Sequence, residues 1–119
     1  MRAIDYNGHV PASTVTEAQL YLAIEQMCED LGLLWTRNPD SRRALGSRGF
    51  PDYVITGPCG TLFREVKDAT NTLSSTQRRW SWALMAGHEN WGTWRPRDLE
   101  SGRIKFELEQ LTARYRECA

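Results

Sequence analysis

The residues best equipped for chemistry lie in two short runs. Gly49-Phe50-Pro51-Asp52 is followed, after twelve residues, by Glu65-Val66-Lys67. Asp52-Tyr53-Val54-Ile55-Thr56 and Thr61-Leu62-Phe63-Arg64-Glu65-Val66-Lys67 have strand composition, and Gly57-Pro58-Cys59-Gly60 between them is turn chemistry, so the segment predicts a β-hairpin. Side chains alternate faces along a strand, which sends Glu65 and Lys67 one way and Val66 into the core. The hairpin returns Asp52 to their side. Two carboxylates and a lysine then converge at one end of a sheet.

Such a trio suits hydrolysis of a phosphodiester. Two carboxylates can hold a hard cation such as Mg²⁺, which keeps several waters of its own. The cation acts as a Lewis acid and lowers the pKa of a bound water. Lys67 near the attacked phosphate would help position that water and offset the charge that builds in the transition state. In a merely structural protein the same groups would form an exposed ion pair of little energetic worth.

The elements that must hold these residues can be read from periodicity. Residues 1–13, with Gly8 and Pro11, read as a flexible N-terminal arm, and 14–119 as a single domain. Thr14 or Thr16 caps a helix over about 16–31, whose apolar stripe is Leu20, Ile24, Met27 and Leu31, and Gly32 ends it. Leu33 to Thr36 is a short strand. Ser74 opens a second helix to about Gly87, with Trp80, Ala83, Leu84 and Gly87 along one face. Trp91 to Trp94 forms another strand, stopped by Pro96, and Ile104, Leu108, Leu111 and Tyr115 suit a C-terminal helix. The order α-β-β-β-α-β-α predicts an α/β protein with a mixed sheet flanked by helices.

Composition sets outer limits. The 119 residues include five Trp, four Tyr and three Phe, enough for a core, which excludes wholesale disorder. No apolar stretch approaches the roughly 18 residues of a membrane span, and Asp5, Glu17 and Glu25 interrupt any signal-peptide pattern in the first 25 residues. Cys28, Cys59 and Cys118 are odd in number and lack C-x-x-C spacing, which argues against a disulfide framework or a cysteine zinc site and for a reducing cytoplasm. Formal charge sums to zero, but residues 35–97 carry ten basic and five acidic groups while the ends are acidic. The basic residues are mostly arginine, which suits bidentate phosphate contacts.

Pro-Asp, twelve residues, then Glu-Val-Lys resembles the PD-(D/E)XK nuclease superfamily. The surrounding runs narrow the resemblance: Thr16-Glu17-Ala18-Gln19, Arg48-Gly49-Phe50-Pro51-Asp52, Phe63-Arg64-Glu65-Val66-Lys67, Leu73-Ser74-Ser75-Thr76-Gln77-Arg78-Arg79-Trp80 and Gly92-Thr93-Trp94-Arg95-Pro96. In this order they resemble the stand-alone VRR-NUC branch of phages and bacteria, which is similar to Holliday-junction resolvases, over roughly residues 14–111. The resemblance implies a restriction-endonuclease-like α-β-β-β-α-β core with an added C-terminal helix. It implies a Mg²⁺- or Mn²⁺-dependent endonuclease on branched DNA, often a homodimer, with no nucleotide cofactor and no membrane. By motif position Asp52 and Glu65 are implied metal ligands, with the Val66 carbonyl as an additional one and Lys67 as catalytic lysine. Gln77 matches the glutamine that opens the second helix, and Glu17 the first-helix acid that reaches the metal through water.

Each residue also has a plainer reading. Ser74-x-x-Gln77 and Thr14-x-x-Glu17 are capping boxes, and a first-turn acid suits the helix dipole. Asp68 reads as a surface or loop-capping residue. Arg37, Arg42, Arg43 and Arg48 precede the hairpin and could follow a DNA backbone, or merely keep a loop solvated. Arg78 and Arg79 oppose a helix dipole, which a nearby phosphate would explain. The tryptophans read as core, except Trp82, whose angle on the helix suits a dimer interface. Alternatives to junction cleavage are a nicking or flap-type replication and repair nuclease, or a DNA-binding nuclease subunit that does not cut.

Overall fold

A computed structural model describes residues 15–38 and 48–112. The first helix, α1 (Glu17–Leu31), begins where Thr16 Oγ1 accepts from the Gln19 amide at 3.1 Å and Gln19 Oε1 accepts from the Thr16 amide at 2.8 Å. The capping box is therefore Thr16 with Gln19, and Glu17 plays no part in it. Leu20, Ile24 and Cys28, four residues apart, are wholly buried, and Gly32 closes the helix at φ +70°.

Four strands follow: β1 (Leu34–Arg37), β2 (Tyr53–Gly57), β3 (Gly60–Val66) and, after helix α2 (Ser75–Ala86), β4 (Asn90–Trp94). They form one mixed sheet in the order β1-β2-β3-β4, antiparallel except for the parallel β3–β4 pair, which the α2 crossover makes possible. The chain is thus a small α/β protein with helices on a four-stranded mixed sheet, as its pattern predicts.

Alternation divides the sheet. Tyr53 and Ile55 of β2, Leu62 and Val66 of β3 and Trp94 of β4 turn to the face covered by α1 and the C-terminal helices, and with Leu20, Ile24, Ile104 and Leu108 make the core. Phe63 turns the other way and meets Phe50, which stands edge-on to Trp80 of α2 at 4.9 Å.

Three expectations need correction. The inward arc of α2 is Gln77, Trp80, Ser81 and Leu84, whereas Ala83 and Gly87 are exposed. The C-terminal helix, α4 (Arg103–Glu109), carries Ile104 and Leu108 but stops short of Leu111, and an unforeseen short helix, α3 (Pro96–Glu100), precedes it across Gly102 at φ +84°. Pro96 ends β4 and also starts α3, where Asp98 Oδ2 accepts from the Arg95 amide at 2.7 Å. Leu111 is buried past the end of α4, its carbonyl accepting from the Cys59 amide of the β2–β3 turn at 3.0 Å, and Tyr115 lies outside the described residues. Cys28 is buried and free, but Cys59 is disulfide-bonded, against the reading of a chain without cross-links. Among the described residues no helix is long and apolar enough to cross a membrane.

Sequence reading also missed a buried ion network. Arg64 sits 5% exposed on the core side of β3, with Nε donating to Glu107 Oε1 at 3.0 Å, Nη1 to the Phe63 and Asn90 carbonyls, and Nη2 to Asn90 Oδ1. Glu107 also accepts from Trp94 Nε1 at 2.9 Å and from Arg103 Nε at 2.7 Å.

One glycine joins the hairpin to α2. Gly49 has φ +83°, and a Cβ there would lie 2.4 Å from the Thr76 backbone carbon and 2.6 Å from the Gln77 nitrogen. Gly49→Ala combines left-handed strain with a backbone clash and is expected to cost on the order of 3 kcal/mol, measured by urea denaturation. A midpoint indistinguishable from the native one would show that the close approach is dispensable.

Candidate active site

Hairpin register decides where the carboxylates stand. Tyr53 pairs with Arg64 in the antiparallel ladder, so Asp52, one residue earlier, stands across from Glu65, one residue later. Asp52 does not fray from the sheet end, because its Oδ2 accepts from the Val66 amide at 2.8 Å. Val66 is buried in the core and Glu65 and Lys67 line the opposite side, as alternation requires. The Lys67 amide donates to the Trp94 carbonyl at 3.0 Å, which extends the β3–β4 ladder to the lysine itself.

The first turn of α2 supplies the next wall. Gln77 does both things its two readings propose. Its Oε1 accepts from the Ser74 amide at 2.8 Å, completing the capping box, and its Nε2 donates to Glu65 Oε1 at 2.8 Å. Because the cap needs an acceptor, the amide has only its NH₂ left for the carboxylate. Glu17, free of capping, reaches the site from α1 and accepts from the Tyr21 hydroxyl at 2.9 Å. Asp68 folds its carboxylate onto the Thr70 and Asn71 amides, the loop-capping role expected of it, and those two N–H groups hold its pKa down.

Together these groups line a cleft of about 600 Å³, with Glu17, Asp52, Glu65, Lys67, Gln77 and Arg48 on its walls. Glu65 is 4% exposed, and its Oε2 has no hydrogen-bond partner. Burial first, and the adjacent Asp52 charge second, push the Glu65 pKa up; burial likewise raises that of Asp52, aided by Glu17 and opposed by the Val66 amide and Lys67. Two ionised carboxylates cannot donate to one another, so the pair requires a shared proton or a cation. A hard divalent cation fits the donor set, since oxygen ligands and an orphaned buried carboxylate oxygen are what such an ion takes. Among the described residues no group of three or more His, Cys, Asp or Glu side chains assembles, so a cation here would rest on two carboxylates with backbone and water oxygens.

The arginines separate. Arg48 lines the cleft, its carbonyl accepting from Trp80 Nε1 at 3.0 Å. Arg37 instead lies 3.3 Å from Glu25 and over the ring of Tyr21, and does not itself line the cleft. Arg78 and Arg79 are exposed on α2 and do not line the cleft, and Arg42 and Arg43 lie outside the described residues. Trp82 is 64% exposed. His88 takes φ +63° past the end of α2, its amide donating to the Met85 carbonyl, which is helix capping. Among the cleft residues that sequence reading missed is Tyr21; the available signal was its spacing of one helical turn from Glu17. Its phenol pKa is raised by burial and then by the Asp52 and Glu17 charges, which keeps it a donor.

No family model matches the chain, and neither the curated proteins nor the solved structures contain a match.

The raised carboxyl pKa has a signed consequence. Above the ordinary value of 4.5 the unfolded Glu65 has lost a proton that the folded pair retains, so metal-free stability falls as pH rises through that window. A cation must displace this proton, and its affinity therefore climbs with pH. The Mn²⁺-induced rise in Tm is expected to grow between about pH 6 and about pH 8. Glu65→Gln keeps an acceptor for Gln77 and sets a permanent N–H donor beside Asp52, so folding no longer has to take up a proton; it should raise the metal-free Tm by roughly 4 °C and abolish the Mn²⁺ response. A metal-free Tm that falls would contradict this account of the pair.

Proposed function

We propose that the chain is a metal-dependent endonuclease that hydrolyses DNA phosphodiesters, with branched DNA as its substrate. The observation that carries the reading is the buried Glu65, its Oε2 unpartnered, set across from the half-buried Asp52 in a polar cleft that also holds Lys67. The resemblance to VRR-NUC nucleases of the PD-(D/E)XK superfamily supports it, since the residues of its motif are the ones that meet here.

In this reading Asp52 and Glu65 hold Mg²⁺ or Mn²⁺, with the Val66 carbonyl as a further ligand, and the ion supplies Lewis-acid chemistry to the phosphodiester. Lys67 lies on the same wall, where its ammonium offsets charge gathering on the phosphate oxygens. Gln77 fixes the Glu65 carboxylate so that one oxygen stays free for the cation. Glu17 holds solvent at the rim, and Arg48 binds a flanking phosphate. Arg78 and Arg79, exposed on the first turn of α2, would extend that contact along the backbone. A homodimer through the exposed Trp82 face of α2 would set two clefts at a fixed separation, which is how a protein of this size can read the shape of a junction.

The test is cleavage of an end-labelled four-way junction with Mg²⁺ by native protein and by Glu65→Ala. Paired cuts near the crossover are expected, lost by about a thousandfold or more in the variant, as several kcal/mol of Lewis-acid stabilisation implies. Binding without cutting by native protein would replace the enzyme with a DNA-binding subunit. Equal cutting of linear duplex would keep the nuclease and discard the branched substrate.

A further inference from the structure

Glu17, Tyr21 and Glu25 follow one another at intervals of four, and so form one stripe along α1. Every member is tied down by the sheet or by its neighbour. Glu25 Oε2 accepts from the Tyr53 hydroxyl at 2.5 Å and lies 3.3 Å from Arg37 Nε. Arg37 in turn lies 4.7 Å from the centre of the Tyr21 ring, and the Tyr53 ring meets the same ring at 5.9 Å, tilted by 55°. Tyr21 is therefore pinned by a cation on one side and an aromatic neighbour on another. Its hydroxyl donates to Glu17 Oε1 at 2.9 Å.

Glu17 needs that bond. It is an exposed first-turn glutamate, and the Thr16–Gln19 box already meets the needs of the helix terminus. A long side chain so placed samples many rotamers unless something holds it. We propose that Tyr21 is a positioning residue: its hydroxyl holds Glu17 Oε1 so that the other carboxylate oxygen is presented to the Asp52–Glu65 cleft, and the Glu25–Arg37–Tyr53 cluster keeps Tyr21 in place to do so. This rests on the cation-binding reading of the Asp52–Glu65 pair. It also gives Arg37 a role in place of the DNA contact its position in the sequence suggests.

The experiment is a Mn²⁺ titration followed by thermal unfolding of the full chain, for native protein, Tyr21→Phe, Glu17→Gln, the double variant and Asp52→Asn. Tyr21→Phe keeps the ring and its packing, so its metal-free Tm should match native, while about tenfold more Mn²⁺ should be needed for half the Tm rise, as for other residues that orient a metal-site group. Glu17→Gln should weaken Mn²⁺ at least as much, and Tyr21→Phe added to it should weaken it no further, because the hydroxyl acts through Glu17. A native-like Mn²⁺ requirement in Tyr21→Phe would overturn the proposal, as would losses that multiply in the double variant. A lowered metal-free Tm with unchanged Mn²⁺ affinity would make the hydroxyl merely structural and overturn it too. Asp52→Asn separates the two layers. If it retains the native Mn²⁺ response, or native protein has none, the cation reading falls and this inference with it. If it loses the response while Tyr21→Phe keeps it, only the role of Tyr21 falls.

Discussion

A buried carboxylate with one oxygen left unpaired is the constraint on which the rest of this structure turns. Leaving such an acceptor without a partner costs on the order of 1–3 kcal/mol, more when it is charged. The fold meets that cost at Glu65 and sets a second carboxylate, Asp52, directly across the hairpin from it. A sequence selected for stability alone would place a hydrophobic side chain there. The surroundings of Glu65 are instead built to hold this unfavourable pair: the Val66 amide on Asp52, the Gln77 amide on Glu65, and Lys67 on the same wall.

The contrast with Arg64, the preceding residue, sharpens the point. Both side chains are buried on β3, but alternation sends them to opposite faces. Arg64 meets Glu107, Asn90 and two backbone carbonyls, so its donors are matched and it works as structure. Glu65 is matched on one oxygen and open on the other. Completed hydrogen bonding thus marks the buried group that ties the fold together, and incomplete bonding marks Glu65 as the one that a shared proton or a cation must complete. The Arg64–Glu107 cluster also ties β3 to α4 and Trp94 to both, which braces the strand from behind while its front face serves the cleft.

Much of this was legible in the sequence because it depends on local rules. Period-two alternation and the Gly57-Pro58-Cys59-Gly60 turn place Asp52, Glu65 and Lys67 together, and Ser74-x-x-Gln77 announces a helix start, while only the resemblance pointed to Gln77 at the cleft. What was not legible depends on distance or on competition between local signals. Arg64 and Glu107 are 43 residues apart, and nothing at either position names the other. Thr14-x-x-Glu17 and Thr16-x-x-Gln19 are overlapping capping patterns, and the outcome, Gln19 as the box partner, is what leaves Glu17 to the cleft. The inward face of α2 was misjudged because the small residues Ala83 and Gly87 fit the helical period, although Gln77 and Ser81 do the facing. The apolar spacing of Ile104, Leu108 and Leu111 suggested one continuous helix, but α4 stops at Glu109, and α3 has no such stripe to announce it.

The doubled role of Gln77 limits what position 77 can tolerate. Glutamate there would satisfy the helix cap and favour the dipole, but it would set a third negative charge against Glu65. Lysine or arginine would donate to Glu65, yet neither can accept from the Ser74 amide. Asparagine has the right groups on a shorter stem. Only a side chain with an acceptor and a donor at the length of glutamine meets both demands at 2.8 Å. Helix stability and carboxylate chemistry are thus unable to drift independently, and the position has an alphabet of one letter.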